Sequence, residues 1–351
     1  MLLTPRQAQI FQTIVEDYID FAEPVGSRTI SKKFNNSVSS ATIRNEMSDL
    51  EEMGLISQPH LSSGRVPTQK GFRFYIDCML EIDRLSKEEA DMIDNIKRDY
   101  AQKKQHIRNL MKDVSRTISN IVEYPSVIIA PKLSSEKFRK IQFLALGEAE
   151  VHITVVTVTG LIEHFSLSLD FMADQTKLDA VARQLNSVPG GFTMKDASAA
   201  IMAEFGIDKD SNVLGSSISD YEDDNIDDRI FLNGSENIFK KPEFQNSQMV
   251  KRFIEMFNNK ENFLKLLDTQ KCKSKDDVII MIGNEFFEVR DLDLGLVASE
   301  YRDSRNATGV LGIIGPSRME YGRIVSFVRE MANKLGDLLN EGSGRDVNSR
   351  H

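Results

Sequence analysis

Residues 39–56 read SSATIRNEMSDLEEMGLI, and the spacing within this stretch decides what the N-terminal part of the chain is. Ser39 or Ser40 can accept a hydrogen bond from the free amides at a helix start. Ile43, Met47, Leu50 and Met53 then recur at helical intervals, and Gly54 closes the turn. If that apolar stripe faces a core, Ser40, Thr42, Arg44, Asn45 and Ser48 fall on the outer face or near the helix start. Arginine can donate twice to guanine and asparagine can pair with adenine, while serine and threonine more often hold phosphate oxygens. A solvated helix face is the plain alternative for any such segment taken alone.

The flanking residues weigh against that alternative. Upstream, Thr4-Pro5 is a helix start, because threonine can cap and proline at the first position has no amide to lose. Ile10, Ile14, Val15, Tyr18 and Ile19 supply an amphipathic face, and the helix should end near Glu23-Pro24. Ser27 is expected to cap a short second helix carrying Ile30 and Phe34, with Arg28 and Lys33 beside it, and Asn35-Asn36-Ser37 make the turn into the third. Downstream, Leu55 to Pro59 and Arg65 to Thr68 flank the small polar tip Leu61-Ser62-Ser63-Gly64, which reads as a two-stranded wing. His60, Ser63 and Arg65 sit where such a wing could press on phosphate or the minor groove. Thr68 can cap a fourth helix through Phe72, Tyr75 and Met79. The expected DNA-contacting set is therefore Ser27, Arg28, Lys33, Ser39, Ser40, Thr42, Arg44, Asn45, Ser48, His60, Ser63 and Arg65.

Charge supports a local nucleic-acid module. The chain carries a net charge of −9, yet Val25 to Tyr75 holds more basic than acidic residues, so attraction to phosphate would be confined to this region.

Several segments resemble the HrcA family of heat-inducible transcription repressors. They are Glu23 to Arg28 (EPVGSR), Ser40 to Met47 (SATIRNEM), Leu50 to Ile56 (LEEMGLI) and His60 to Thr68 (HLSSGRVPT). Far downstream, Gly234 to Phe239 (GSENIF) and Gly309 to Tyr321 (GVLGIIGPSRMEY) resemble it too, so the similarity runs through the whole chain. The resemblance implies a dimeric repressor of chaperone operons that binds an inverted-repeat operator and depends on the GroEL chaperonin to stay active. It also implies an α+β architecture: a winged helix-turn-helix, then a GAF-like antiparallel-sheet domain carrying an inserted dimerisation domain. Approximate boundaries are 1–80 for the winged helix, 81–172 for a linker helix and the first part of the GAF-like domain, 173–270 for the insertion, 271–342 for the second part, and 343–351 for a flexible tail.

In the body, Ile93, Tyr100, Ile107, Val114 and Ile121 recur every seven positions from Ser86 to Tyr124. One long helix is expected, stiffly linking reader and body. Lys103 and Thr117 interrupt its second seam position, which favours packing on its own domain over a free-standing coiled coil. Ser126 to Ala130, Lys140 to Leu146, Val151 to Val158 and Leu161 to Leu169 are rich in β-branched residues and are expected to form one antiparallel sheet. Helical stretches follow at Gln175 to Ser187 and Lys195 to Phe205, split by Pro189-Gly190-Gly191. Ser219 to Asp228 is an acidic stretch without the ligand spacing of a calcium loop, and reads as a solvated loop. A helix at Gln248 to Asp268, strands at Val278 to Ile282, Leu292 to Tyr301 and Ala307 to Ile314, and a last amphipathic helix complete the chain, the strands rejoining the first sheet.

No catalytic pattern emerges. Apolar residues fill the gaps of Gly309 to Gly315, so a buried strand fits better than a dinucleotide loop, and no P-loop is present. His60, His106, His152, His164 and His351 lack metal-ligand spacing, and no GxSxG elbow occurs. Cys78 and Cys272 are too far apart for a zinc site and read as buried or spectator thiols. No cofactor, no metal and no enzyme activity are expected. No apolar run is long enough to span a bilayer and the N-terminus lacks a signal-peptide pattern, so a cytoplasmic location with no membrane partner is expected. The rival to a chaperonin-coupled repressor is a regulator that senses a small ligand in the GAF-like domain.

Overall fold

The computed structural model describes residues 3–60, 64–103, 107–131, 137–158, 162–169, 172–206, 229–259, 274–275, 278–285, 292–302 and 308–344. The chain begins with α1 (Pro5–Phe21). Thr4 and Gln7 close its start reciprocally, Gln7 N donating to Thr4 Oγ1 at 3.2 Å and Thr4 N to Gln7 Oε1 at 3.1 Å. The helix ends where Ala22 turns left-handed at φ 56°. Next come α2 (Ser27–Lys33) and α3 (Ser40–Glu52). Ser27 is the first helical residue of α2 and not its cap, because the cap position falls on Gly26, which offers no side-chain bond. Asn35 and Asn36 take the left-handed turn at φ 51° and 58°.

The wing is β1 (Ile56–Ser57) paired antiparallel with β2 (Val66–Pro67). Thr68 caps α4 (Gln69–Cys78). Gly71 is required there, since a Cβ would strike the Leu55 carbonyl oxygen at the root of the wing. Cys78 is exposed, so it is no core thiol, while Cys272 lies outside the described residues.

The expected single long helix is two helices, α5 (Lys87–Lys103) and α6 (Ile107–Val122). They run side by side. Arg323 reaches both Glu89 Oε1 at 2.7 Å and the Ile121 carbonyl at 3.4 Å, yet those residues would lie about 48 Å apart on one continuous helix. The heptad-like stripe therefore lies against the chain's own body: Ile93, Leu110, Val114 and Ile118 are all buried. Residues 104–106, between the two helices, are outside the description.

Strands β3 (Ser126–Ile129), β4 (Phe138–Ala145), β5 (Glu150–Thr157) and β6 (Ile162–Ser168) do not form one sheet. β4, β5 and β6 make a three-stranded antiparallel meander, covered on one face by α7 (Gln175–Asn186) and α8 (Met194–Phe205). Phe143, Ile153, Phe165, Leu178, Val181 and Ile201 share its core, so the expected boundary at 172/173 falls inside one packed unit.

β3 instead pairs with β7 (Ile230–Asn233) on one side. After α9 (Ser235–Ile238) and α10 (Ser247–Asn258) the chain adds β8 (Ser274–Lys275), β9 (Val278–Ile282), β10 (Leu294–Arg302) and β11 (Thr308–Pro316). Together these form a six-stranded antiparallel sheet in the order β7-β3-β11-β10-β9-β8. The stretch Gly309 to Gly315 is thus a strand inside the sheet, as its apolar content implies.

Period-two alternation sends Ile128, Val297, Leu311 and Ile313 to one face, where α6 and the terminal α11 (Tyr321–Gly344) pack. Val127, Leu296, Ala298 and Ile314 face the other way, toward Phe244, Phe253 and Phe257 around α10. The meander unit leaves and re-enters this sheet at one place, where Ala130 N donates to the Arg229 carbonyl at 2.8 Å. The acidic stretch at 219–228 and residues 260–268 lie outside the described residues, whereas α10 covers the start of the helix expected from Gln248 to Asp268.

The α5–α6 pair is tied to α11 by the Glu89–Arg323 ion pair at 2.7 Å. Burial raises the affinity of the Glu89 carboxyl for its proton, but hydrogen bonds from Arg323 and Ser86 outweigh it and leave the value below that of an ordinary glutamate. The folded state then binds fewer protons than the unfolded one. Its stabilisation is complete above the unfolded pKa and is lost as pH falls through the lower folded value. Glu89→Gln is expected to lower the melting temperature at pH 7, with the gap from the native protein shrinking on titration toward pH 3. A gap that does not change with pH would contradict this assignment.

Candidate nucleic-acid interface

Helix α3 carries the candidate interface. Its stripe Ile43, Met47 and Leu50 is buried, and truncating any of these to alanine would cost about 2–5 kcal/mol, so the rotation of the helix is firmly set. Ser39 caps it, accepting from Thr42 N at 3.1 Å and lying 2.9 Å from Thr42 Oγ1. Ser39 and Thr42 thereby hold each other at the helix start, beside the half-buried Ser40. Arg44, Asn45 and Ser48 are exposed on the outer face.

Three of the four acidic residues of α3 are engaged, while Glu52 is exposed one turn after Ser48 on the same face. Glu46 faces Arg6 at 3.7 Å, Asp49 accepts from Gln7 Nε2 at 3.4 Å, and Glu51 pairs with Arg65 at 2.8 Å. The charges of Glu46 and Glu51 are met by cations of α1 and the wing and Asp49 is held by a neutral amide, whereas Arg44 and Arg28 have no ion pair among the described residues. The outer face of α3 thus carries Arg44 beside Asn45, Ser48 and Glu52, with Arg28 supplied from α2.

Two residues expected on this face are engaged within the chain. Lys33 pairs with Asp17 of α1, whose carboxylate is buried. The reason is geometric: Ile30 is buried and lies one turn before Lys33, so both lean toward α1. Its neighbour Lys32, absent from the expected set, is exposed with no ion pair among the described residues; the burial of Ile30 and the helical spacing are the signal that separates the two.

Arg65 turns back onto α3, its Nε donating to Glu51 Oε2 at 2.9 Å. Its backbone exchanges two 2.9 Å hydrogen bonds with Val25, and Gly64 passes so close that a Cβ would strike the Val25 and Pro24 carbonyl groups. Arg65 thus fastens the wing root to the segment entering α2 and is not extended toward solvent. His60 is exposed, Ser27 is half-buried at the start of α2, Arg28 is exposed, and Ser63 lies outside the described residues.

Among the described residues no group of three or more His, Cys, Asp or Glu side chains is placed to hold a metal ion. No described helix is long and apolar enough to cross a membrane.

Comparison with known proteins extends beyond the reader. Residues 2–77 match the model of the winged helix-turn-helix transcription repressor, HrcA DNA-binding, and residues 108–325 match the HrcA protein C terminal domain. The heat-inducible transcription repressor HrcA of Desulforamulus reducens is 33% identical over 344 residues, covering 97% of this chain and 98% of the relative. That of Pelotomaculum thermopropionicum is 33% identical over 353 residues, covering 98% of this chain and 100% of the relative. A crystal structure of a hypothetical protein shares the fold, with a TM-score of 0.63 at 20% identity over 97% of this chain and 100% of that one. A winged helix alone would leave the body unexplained; because the match runs through body and reader alike, the chain belongs to the HrcA family of heat-inducible transcription repressors.

Proposed function

We propose that this protein binds an inverted-repeat operator as a homodimer in the cytoplasm and represses chaperone genes, with Arg44 and Asn45 reading base edges from the major groove. The observation that carries this is the placement of Arg44 and Asn45, both exposed on the outer face of α3, while Glu46, Asp49 and Glu51 are engaged by Arg6, Gln7 and Arg65. Ser39, Ser40, Thr42 and Ser48 serve as register-setting phosphate contacts, and Arg28 and Lys32 supply the nonspecific attraction.

Dimerisation is assigned to the Phe138–Phe205 unit inserted in a GAF-like six-stranded sheet. What supports this is the uncovered face of its meander, where Leu144 is 54% and Ile162 is 41% exposed on the side opposite the α7–α8 core. The GroEL dependence rests on family membership. A repressor whose active fraction is maintained by a chaperonin is released when heat-damaged proteins occupy that chaperonin, which couples transcription to the load of unfolded chains.

Small-ligand sensing is less favoured. An open cleft of about 960 Å³ lies between α5, α6 and the start of α11, but its Glu89, Arg323 and Glu320 already satisfy one another.

Three measurements test the proposal. In operator titrations, Arg44→Ala and Asn45→Ala should each cost about 1–3 kcal/mol and relax base preference; equal losses on operator and random DNA would remove both from the base-reading set. Lys32→Ala should reduce the salt dependence of binding by roughly one counterion, whereas Lys33→Ala should mainly lower the melting temperature by stranding Asp17. The reverse pattern would restore Lys33 as the phosphate contact. Leu144→Glu should shift light-scattering mass toward the monomer and weaken operator binding well beyond any single contact, and an intact dimer would move the interface off this face.

A further inference from the structure

The reader is joined to the body through a small set of charged contacts. Arg318 follows β11 and is 9% exposed. Its Nη1 donates to the Ile19 carbonyl at 2.8 Å, one of the last four carbonyls of α1, which lack partners within the helix. Its Nε and Nη2 grip both carboxylate oxygens of Glu243, just before α10. A single guanidinium therefore closes the end of a reader helix and ties it to the body sheet at the same time.

A second tie is built alike. Arg73, on α4, donates to the Ile280 carbonyl of β9 at 2.9 Å and to both oxygens of Glu285, which in turn accepts from Ile282 N at 2.9 Å. Next to it the Asn284 amide donates to Gln69 Oε1 at 3.2 Å. Both ties are directional, and the more deeply buried one resists sliding most: the Arg318 guanidinium that loses its carboxylate has little water to replace it, whereas Glu285 is partly exposed. Apolar packing between the modules would tolerate small rotations, but these forks do not.

We propose that Arg318 is a positioning residue for operator reading: shared between the carboxyl end of α1 and Glu243, and assisted by Arg73, it fixes the angle at which the body presents α3. In a dimer, that angle sets the distance and rotation between the two recognition helices. The latch thus determines which half-site spacing is accepted, while each reader's grip on one half-site is unaffected. This rests on the inverted-repeat dimer proposed above.

The test is titration of native protein, Arg318→Gln, Glu243→Gln and Arg73→Gln against three DNAs: a single half-site, the natural operator, and the operator with about five base pairs inserted between half-sites, which rotates one by half a helical turn. Native protein is expected to prefer the natural spacing strongly. The variants should hold the single half-site within about twofold of native, and their preference for natural over altered spacing should fall tenfold or more. Should Arg318→Gln fail to fold, Glu243→Gln and Arg73→Gln decide the matter. A spacing preference that survives unchanged in folded variants overturns the latch alone. Native protein indifferent to spacing overturns the latch together with the inverted-repeat dimer on which it rests.

Discussion

Burial of Ile43, Met47 and Leu50 against α1 and the wing root is the constraint from which the rest of the reader follows. These side chains permit only one rotation of α3, and that rotation decides which residues meet solvent. Without it, the same helix would present Glu46, Asp49 and Glu51 as readily as Arg44 and Asn45. Gly71 and Gly64 belong to the same constraint, since each allows backbone to pass where a side chain would push the wing away from α3 or from the start of α2.

Electrostatics then refine what packing begins. A chain of net charge −9 is repelled by nucleic acid unless its carboxylates are withdrawn from the contact surface. The withdrawal here is partial, with Glu52 left exposed, and is done by short-range pairs: Arg6 takes Glu46, Arg65 takes Glu51, and Gln7 takes Asp49. Cations spent in this way are not available to phosphate, which is why a count of basic residues between Val25 and Tyr75 overstates the attraction.

Much of the reader was legible because its signals are local. Thr4, Ser39 and Thr68 cap helices where their spacing places them, and the third helix, the Asn35-Asn36 turn and the wing follow from residues only a few positions apart. Legibility failed where the outcome depends on partners distant in the chain. Nothing near Lys33 or Arg65 announces Asp17 or Glu51 as their acceptors. A seven-residue repeat describes one face of a helix without telling whether that face meets a second chain or, as with Val114 and Ile118, the protein's own sheet. Strand-forming runs likewise do not name their neighbours: β3 and β4 are close in sequence yet belong to different sheets, because β3 is claimed by β7 and β11.

The point where the meander unit departs from the six-stranded sheet has a broader consequence. Ala130 and Arg229 are hydrogen-bonded neighbours just beyond the ends of the adjacent strands β3 and β7, so the excursion begins and ends at one spot and the host sheet closes without it. Accretions with coincident ends can be enlarged, trimmed or exchanged while the host keeps its register. Lineages could in this way alter the inserted unit, and the subunit contacts proposed for it, without touching the surface proposed to read DNA, so that assembly and recognition would evolve as separable traits.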